Sequence, residues 1–300
     1  MNIKVLVVLG QTSTGKSDIA VSLAQKFNGE VISADSRQIY IGMNIGTGKI
    51  TKEEMQGITH HLLDIKNPNE DFSVEEFQRL CQKTIQEILN RGKLPIVCGG
   101  TGYYIKALVE NTMFESIPKN LDFRKELEEK SLKELQTILE IIPKEDSARI
   151  DTENKRRLIR AIEIGSHLGI ITGPKIQPNP FEFLCIGLQL PDDVLKEKIN
   201  TRLKKRLEAG MIQEVQKIHS EDISWQRLES FGLEYKYCAE FLQNKIQSES
   251  DFQNILEEKS WQYAKRQKTW FQKQKNIDWF NPDQFDDIKN CVSEYLQKKT

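Results

Sequence analysis

Gly10-Gln11-Thr12-Ser13-Thr14-Gly15-Lys16-Ser17 is the stretch that most restricts what this chain can become. It fills every fixed position of the phosphate-loop pattern G-x-x-x-x-G-K-[ST]. An apolar run, Val5-Leu6-Val7-Val8-Leu9, leads into it. A helical pattern, Ile19, Ala20, Leu23, Ala24 and Phe27, leads out and closes at Asn28-Gly29. Strand, glycine loop and helix are the context the pattern needs. The glycines let successive N–H groups turn toward an anion, and the helix N-terminus adds partial positive charge. Lys16 reaches the terminal phosphates, and the Ser17 hydroxyl can hold Mg2+. The loop alone does not choose between ATP or another nucleotide and a prenyl diphosphate.

Strand patterns recur after the loop. Val31-Ile32-Ser33-Ala34-Asp35 ends in a carboxylate. His60-His61-Leu62-Leu63-Asp64-Ile65 reads as a short strand. Leu94-Pro95-Ile96-Val97-Cys98 runs into Gly99-Gly100-Thr101-Gly102. Between the last two, Ser73 with Glu76 is a capping box for a helix whose apolar face is Val74, Phe77, Cys81, Ile85 and Ile88. Strands alternating with helices predict an α/β fold, a P-loop NTPase-like parallel sheet flanked by helices. Ligands on such sheets bind beyond the strand C-termini. Gly10–Ser17, Asp35 and Thr101 should therefore meet at one edge.

From Glu115 to Pro180 the pattern turns helical and charged, with helices expected over Leu121–Ile142, Lys144–Ile150 and Thr152–Leu168. This predicts a helical insertion domain, 115–180, within a core of 1–114 and 181–300. Phe183–Leu188 reads as the strand that returns to the main sheet. Helices follow over Asp192–Ala209, Ile212–His219, Leu233–Leu242 and Asp251–Lys275.

The net charge is −1, so any polyanion site must come from local clustering. Basic residues gather at Lys155–Arg160, at Lys196–Arg206, and at Lys265–Lys275 among Trp261, Tyr263, Trp270 and Phe271. Such runs are most often solvated faces, but cations interleaved with aromatics and glutamines also suit RNA. Five cysteines without metal spacing point to a reducing, cytoplasmic setting. The N-terminal apolar run is too short for a signal peptide or membrane span. The pair His60-His61 lacks a third ligand at metal spacing and reads as structural.

A hydrolase with this loop normally has a second apolar strand ending in Asp to hold the metal. Here that strand ends in Gly99-Gly100, which leaves Asp35 as the one strand-end acid near the loop. A lone carboxylate there suits a general base. It equally suits a loop cap, or a group lying behind the ligands of a magnesium ion. Three readings follow: an RNA prenyltransferase, a P-loop kinase or NTPase acting on a small molecule, and an RNA-binding protein without catalysis.

Across essentially its whole length the chain resembles the bacterial tRNA dimethylallyltransferases (tRNA isopentenyltransferases). The resemblance rests on Gly10–Ser17, Asp35-Ser36-Arg37-Gln38-Ile39-Tyr40, Gly46-Thr47, His60–Asp64, Gly99–Tyr104, Arg156–Glu163 and Ala264-Lys265-Arg266-Gln267-Lys268-Thr269-Trp270-Phe271. It implies transfer of a dimethylallyl group from dimethylallyl diphosphate to the N6 amine of the adenine 3′ of the anticodon. Asp35 would bind that amine and take its proton, with Thr101 and Lys16 catalytic beside it. Gly10, Gln11, Thr12, Ser13, Thr14, Gly15, Lys16 and Ser17 would hold the diphosphate with Mg2+. Asp35, Ser36, Arg37, Gln38, Thr101, Arg124, Arg156, Arg157, Leu158, Ile159 and Arg160 would contact the tRNA anticodon stem-loop. The resemblance further implies a cytoplasmic monomer with no membrane association. Phe231-Gly232-Leu233-Glu234-Tyr235-Lys236 departs from the family's more usual Ile-Gly-Tyr-[Lys/Arg]-Glu, and there is no C-terminal zinc finger.

Overall fold

A computed structural model describes residues 3–114, 117, 120–145, 148, 150–173 and 175–298. In chain order the elements are β1 (Ile3–Gly10), α1 (Lys16–Lys26), β2 (Gly29–Ser33), β3 (His60–His61), α2 (Val74–Asn90), β4 (Leu94–Gly99), α3 (Gly102–Val109), β5 (Thr112–Met113), α4 (Leu121–Glu129), α5 (Leu132–Ile141), α6 (Lys155–Leu168), β6 (Lys175–Ile176), β7 (Phe181–Leu188), α7 (Asp192–Glu208), α8 (Met211–Ser220), α9 (Trp225–Ser230), α10 (Leu233–Leu242), α11 (Glu249–Gln272), β8 (Ile277–Phe280) and α12 (Phe285–Gln297). They form two compact units, Met1–Val109 with Asn179–Thr300, and Glu110–Pro178.

The first unit is built on a six-stranded sheet in the order β3-β2-β4-β1-β7-β8. Every neighbouring pair is parallel. β1 lies at its centre, covered on both faces, which is why its sequence is continuously apolar rather than alternating. The two faces still sort by the two-residue period of a strand. Val5, Val7 and Leu9 pack with Phe77, Cys81, Ile105 and Phe271. Leu6 and Val8 pack with Ile19, Leu23, Ile288 and Val292. β7 joins β1 from Ile3↔Phe181 through Gly10↔Leu188. A third apolar cluster gathers Ile39, Met43 and Leu203 with residues of α8 to α11.

Several expected elements are reshaped by tertiary partners. β3 stops at His61 instead of running to Ile65, because Leu62 and Asp64 adopt positive φ. His61 Nε2 lies 2.6 Å from the buried Glu30, which Arg91 and Lys93 also neutralise at 2.6 and 2.9 Å. Ser73 caps α2 through Glu76 N at 3.1 Å, but the Glu76 carboxylate pairs with Lys66 at 3.1 Å instead of closing the box. Periodicity does not single out α3, β5, β6, β8, α9 or α12.

In the second unit, the single helix expected over Leu121–Ile142 is two. Ser131 and Glu134 form a full capping box that starts α5 after a break at Lys130. In the stretch read as a helix over Lys144–Ile150, the described residues are not helical, and Lys144 bridges Ile171. Asp146, Ser147 and Arg149 lie outside the described residues. α6 begins at Lys155, where Asn154 accepts a hydrogen bond from Arg157 N. The boundary expected at Glu115 also falls outside the described residues; the unit runs from Glu110 to Pro178.

Candidate active site

The loop between β1 and α1 takes its shape from two places. Gly10 has φ 144°, and a Cβ there would collide with the Leu188 carbonyl of the neighbouring strand. At the far end Gly15 has φ 84° and serves as the N-cap of α1. Within the loop, Thr14 Oγ1 and Lys16 Nζ both donate to Gln11 O, at 2.9 and 2.5 Å. α11 holds the loop from outside. Gln11 Nε2 donates to Ala264 O at 3.1 Å, and Thr12 N donates to Gln267 Oε1 at 2.8 Å.

Parallel register carries the other two expected groups to the same edge. Ser33 pairs with Cys98 on β4, and Leu9 pairs with Gly99. The ladder continues past the strands through Ala34 N to Cys98 O at 2.8 Å and Thr101 N to Ala34 O at 3.4 Å. Asp35 and Thr101 therefore stand side by side, and Thr101 Oγ1 accepts from Ser36 N at 3.1 Å. Asp35 Oδ1 accepts from Arg37 N at 2.8 Å and Gln38 N at 3.4 Å, so this oxygen caps the turn. Oδ2 has no hydrogen-bond partner among the described residues. One Asp35 oxygen therefore fixes the turn, as the loop-cap reading expects, and the other oxygen keeps its acceptor capacity.

Gln267 joins the parts. Its Nε2 donates to Gly100 O at 2.9 Å. A Cβ at Gly100 would lie 2.7 Å from that nitrogen and 3.8 Å from Lys16 Nζ, so phosphate loop, β4 terminus and α11 close on one small volume. Burial lowers the Lys16 ammonium to about 8, with Arg202 pushing the same way and Cys98 and Asp35 opposing.

Arg202 lies in the basic run Lys196–Arg206, which the sequence leaves open between a solvated face and an RNA contact. Its guanidinium instead turns inward, 3.4 Å from Gly48 O, and burial followed by repulsion from Arg206 lowers it to about 10. Arg206 follows it, reaching Gly46 O at 3.4 Å and Glu234 at 3.0 Å. The 44–48 loop that receives them is held by Glu214. Its two oxygens accept from Asn44, Ile45 and Gly46 N–H at 2.9, 2.7 and 3.0 Å and from the Tyr235 hydroxyl at 2.6 Å. The unusual 231–236 stretch therefore supplies Glu234 and Tyr235 as supports. A signal for Arg202 and Arg206 was present in α7. They fall three residues after the buried Ile199 and Leu203, beside the inward stripe.

The remaining expected contact residues divide. Gln38 turns its amide inward, accepting from Ser33 Oγ at 3.3 Å and donating to Gly48 O at 3.2 Å. Arg37 lies 6.0 Å from the Phe231 ring centre. In the second unit Leu158 and Ile159 are buried in the apolar core and cannot meet RNA; helical period places them inward. Arg124 is clamped by Glu163, with Nε to Oε1 at 3.1 Å. Arg160 donates to Ile117 O at 3.2 Å. Arg157 is exposed and pairs with Asp151 at 2.8 Å. Among the described residues no group of three or more His, Cys, Asp or Glu side chains could hold a metal. Ser17 is exposed beside a small cavity lined by Ser33, Gln38 and Cys98. Among them, too, no helix is long and apolar enough to cross a membrane.

The chain is similar over 98% of its length to a solved tRNA isopentenylpyrophosphate transferase from Bacillus halodurans, of which it covers 97%, at 37% identity and TM-score 0.74. It is also similar to a solved eukaryotic dimethylallyltransferase acting on tRNA, covering 89% of this chain and 69% of that one, at 29% identity and TM-score 0.71. Treponema denticola tRNA dimethylallyltransferase 2 is 42% identical over 84% of this chain and 85% of its own. The IPP transferase family profile matches residues 38–274. With the phosphate loop, Asp35 and Thr101 gathered at one sheet edge, this places the chain in the tRNA dimethylallyltransferase (IPP transferase) family.

Proposed function

We propose that the chain transfers a dimethylallyl group from dimethylallyl diphosphate to the N6 amine of the adenine 3′-adjacent to a tRNA anticodon. The observation that carries this reading is the convergence of the phosphate loop, Arg202, Asp35 and Thr101 at one edge of the sheet. The loop N–H groups, Lys16 and Arg202 receive the diphosphate and stabilise the charge that grows on it as the C–O bond breaks. Thr12 N–H is committed to Gln267, so the cradle is formed by the later loop N–H groups and these two cations. Mg2+, when bound, would be held by the Ser17 hydroxyl and diphosphate oxygens and would neutralise part of the leaving charge.

The acceptor amine needs a proton acceptor as its nitrogen bonds to the allylic carbon. Asp35 Oδ2 takes that proton, while Oδ1 stays bonded to the turn and holds the carboxylate in place. The Thr101 hydroxyl, fixed by Ser36 N–H, orients the acceptor beside Asp35. An adenine must leave its stack to reach this position, which costs a few kcal/mol, less in a loop than in a duplex. Phosphate contacts from Arg156 and Arg157 on the second unit, and from Lys265 and Arg266 on α11, offset that cost.

Incubation with labelled dimethylallyl diphosphate and unmodified tRNA carrying adenine at the acceptor position tests the reading. Label in RNA is expected. ATP turnover without label transfer would instead support the small-molecule kinase, and tight tRNA binding with neither would support a non-catalytic binder.

A further inference from the structure

One flank of α11 is lined with planar side chains, of which the chemistry above uses only Arg266, as a phosphate contact. Tyr263, Arg266 and Trp270 recur at i, i+3 and i+7, so they share that flank, next to the buried seam Ser260, Ala264, Gln267 and Phe271. The Arg266 guanidinium lies 5.9 Å from the Tyr263 ring centre. Tyr103, in the first turn of α3, meets Trp270 edge-on with centroids 6.5 Å apart and planes at 85°. Tyr103 is 51% exposed and Tyr263 38%.

Tyr263 is also tied to the site. Its hydroxyl end is desolvated and accepts from Gln267 Nε2 at 3.4 Å, on the amide that bonds Gly100. Burial first, and the Asp35 carboxylate next, raise its phenol above the ordinary value, so it stays neutral while part of the residue remains open to solvent. Arg37 and Arg266 also lie within electrostatic reach of that phenol. The result is a run of rings and cations that extends from the Tyr263 phenol, within electrostatic reach of Asp35, along α11 to Trp270 and Tyr103. Flat π-faces with nearby positive charge match the faces and phosphates of unpaired nucleotides, where every base offers a stacking surface. Continuity with the acceptor site and complementary charge select single-stranded RNA as the occupant.

We propose that Tyr263, Arg266, Trp270 and Tyr103 form a stacking platform for the unpaired bases that flank the acceptor adenine. This rests on the RNA-modifying reading above. A rigid ring loses little conformational freedom when a base lands on it, so stacking there also helps hold the loop open.

The test uses the full chain and a synthetic anticodon stem-loop carrying 2-aminopurine immediately 3′ of the acceptor. Tyr263→Ala and Tyr103→Ala should each weaken binding about tenfold and lose most of the stacking quench of 2-aminopurine. Tyr263→Phe and Tyr103→Phe should retain both within about twofold, because stacking needs the ring and not the hydroxyl. Calorimetric affinity for inorganic diphosphate should not change in any variant. Alanine variants that bind and quench like the parent overturn the proposal. So does a parallel loss of diphosphate binding, which would mean the ring acts only through Gln267. Tyr103→Ala, in an exposed first turn, decides the matter if Tyr263→Ala does not fold. A parent chain that quenches the stem-loop yet transfers no dimethylallyl group would overturn the catalytic reading and leave the platform standing.

Discussion

Gln267 on α11 accepts the Thr12 N–H at 2.8 Å through one amide atom and donates to Gly100 O at 2.9 Å through the other. A residue 255 positions from Thr12 and 167 from Gly100 therefore sets the distance between the phosphate loop and the end of β4. Gln267→Ala leaves a loop N–H and a carbonyl without their partner, each costing about 1–3 kcal/mol when buried. The expected outcome is a lower melting temperature together with a roughly tenfold higher KM for the prenyl diphosphate. Steady-state kinetics with varied donor checks it; an unchanged donor KM would limit Gln267 to stability.

Asp35→Asn keeps an oxygen for the Arg37 and Gln38 N–H groups but cannot accept the amine's proton. General-base loss typically costs 10²–10⁴ in rate, so single-turnover transfer should fall by at least about a hundredfold while tRNA affinity persists. Turnover near that of the parent would remove Asp35 from the proton-transfer role.

The pH dependence of diphosphate binding follows from Lys16. Its ammonium titrates at about 8 in the free protein because burial disfavours the charge. A bound diphosphate favours the charged form, so binding takes up a proton once the pH is above that value. Affinity should be level below about pH 7 and fall through pH 8 to 9, by no more than tenfold per unit. Calorimetry of inorganic diphosphate across that range reads it. Lys16→Arg, which does not titrate there, should flatten the curve.

Glu214 satisfies three backbone N–H groups and the Tyr235 hydroxyl with one carboxylate. Glu214→Ala should destabilise the chain by about 2–4 kcal/mol, since four donors, three of them in part-buried bonds, lose their acceptor together. Glu214→Gln, which keeps one carbonyl oxygen, should lose clearly less. Denaturant unfolding of the two variants tests the order, and equal losses would contradict it.

Arg157 is an exposed cation of α6, its side chain 61% open and paired with Asp151. Arg157→Ala should weaken tRNA binding and lower the salt slope of log K by about one, as expected for one lost phosphate contact. A slope that does not move would make this residue purely solvent-facing.

The division between what could be read along the chain and what could not follows the range of the forces involved. Gly10–Ser17 with its flanking strand and helix is a local motif, and local sterics and hydrogen bonding suffice to predict it. The cap at Ser73 is local in the same sense, although only the Lys66 ammonium explains why Glu76 leaves its box open, whereas the helices expected from periodicity ran through the caps Ser131 and Asn154. Parallel order was legible from alternation, and with it the meeting of Gly10–Ser17, Asp35 and Thr101 at the strand C-termini. The sequence by itself determined the fold class, the family and these three site components. Tertiary structure alone decided which cations face the site. Arg202 and Lys205 look alike in a basic run, and only packing of α7 desolvates the first. Tertiary structure also made Leu158 and Ile159 core residues, and made Gln267 and Glu214 supports for loops well over a hundred residues away. Hydrogen bonds and burial between distant segments depend on where the backbone comes to rest, which no window of neighbouring residues encodes.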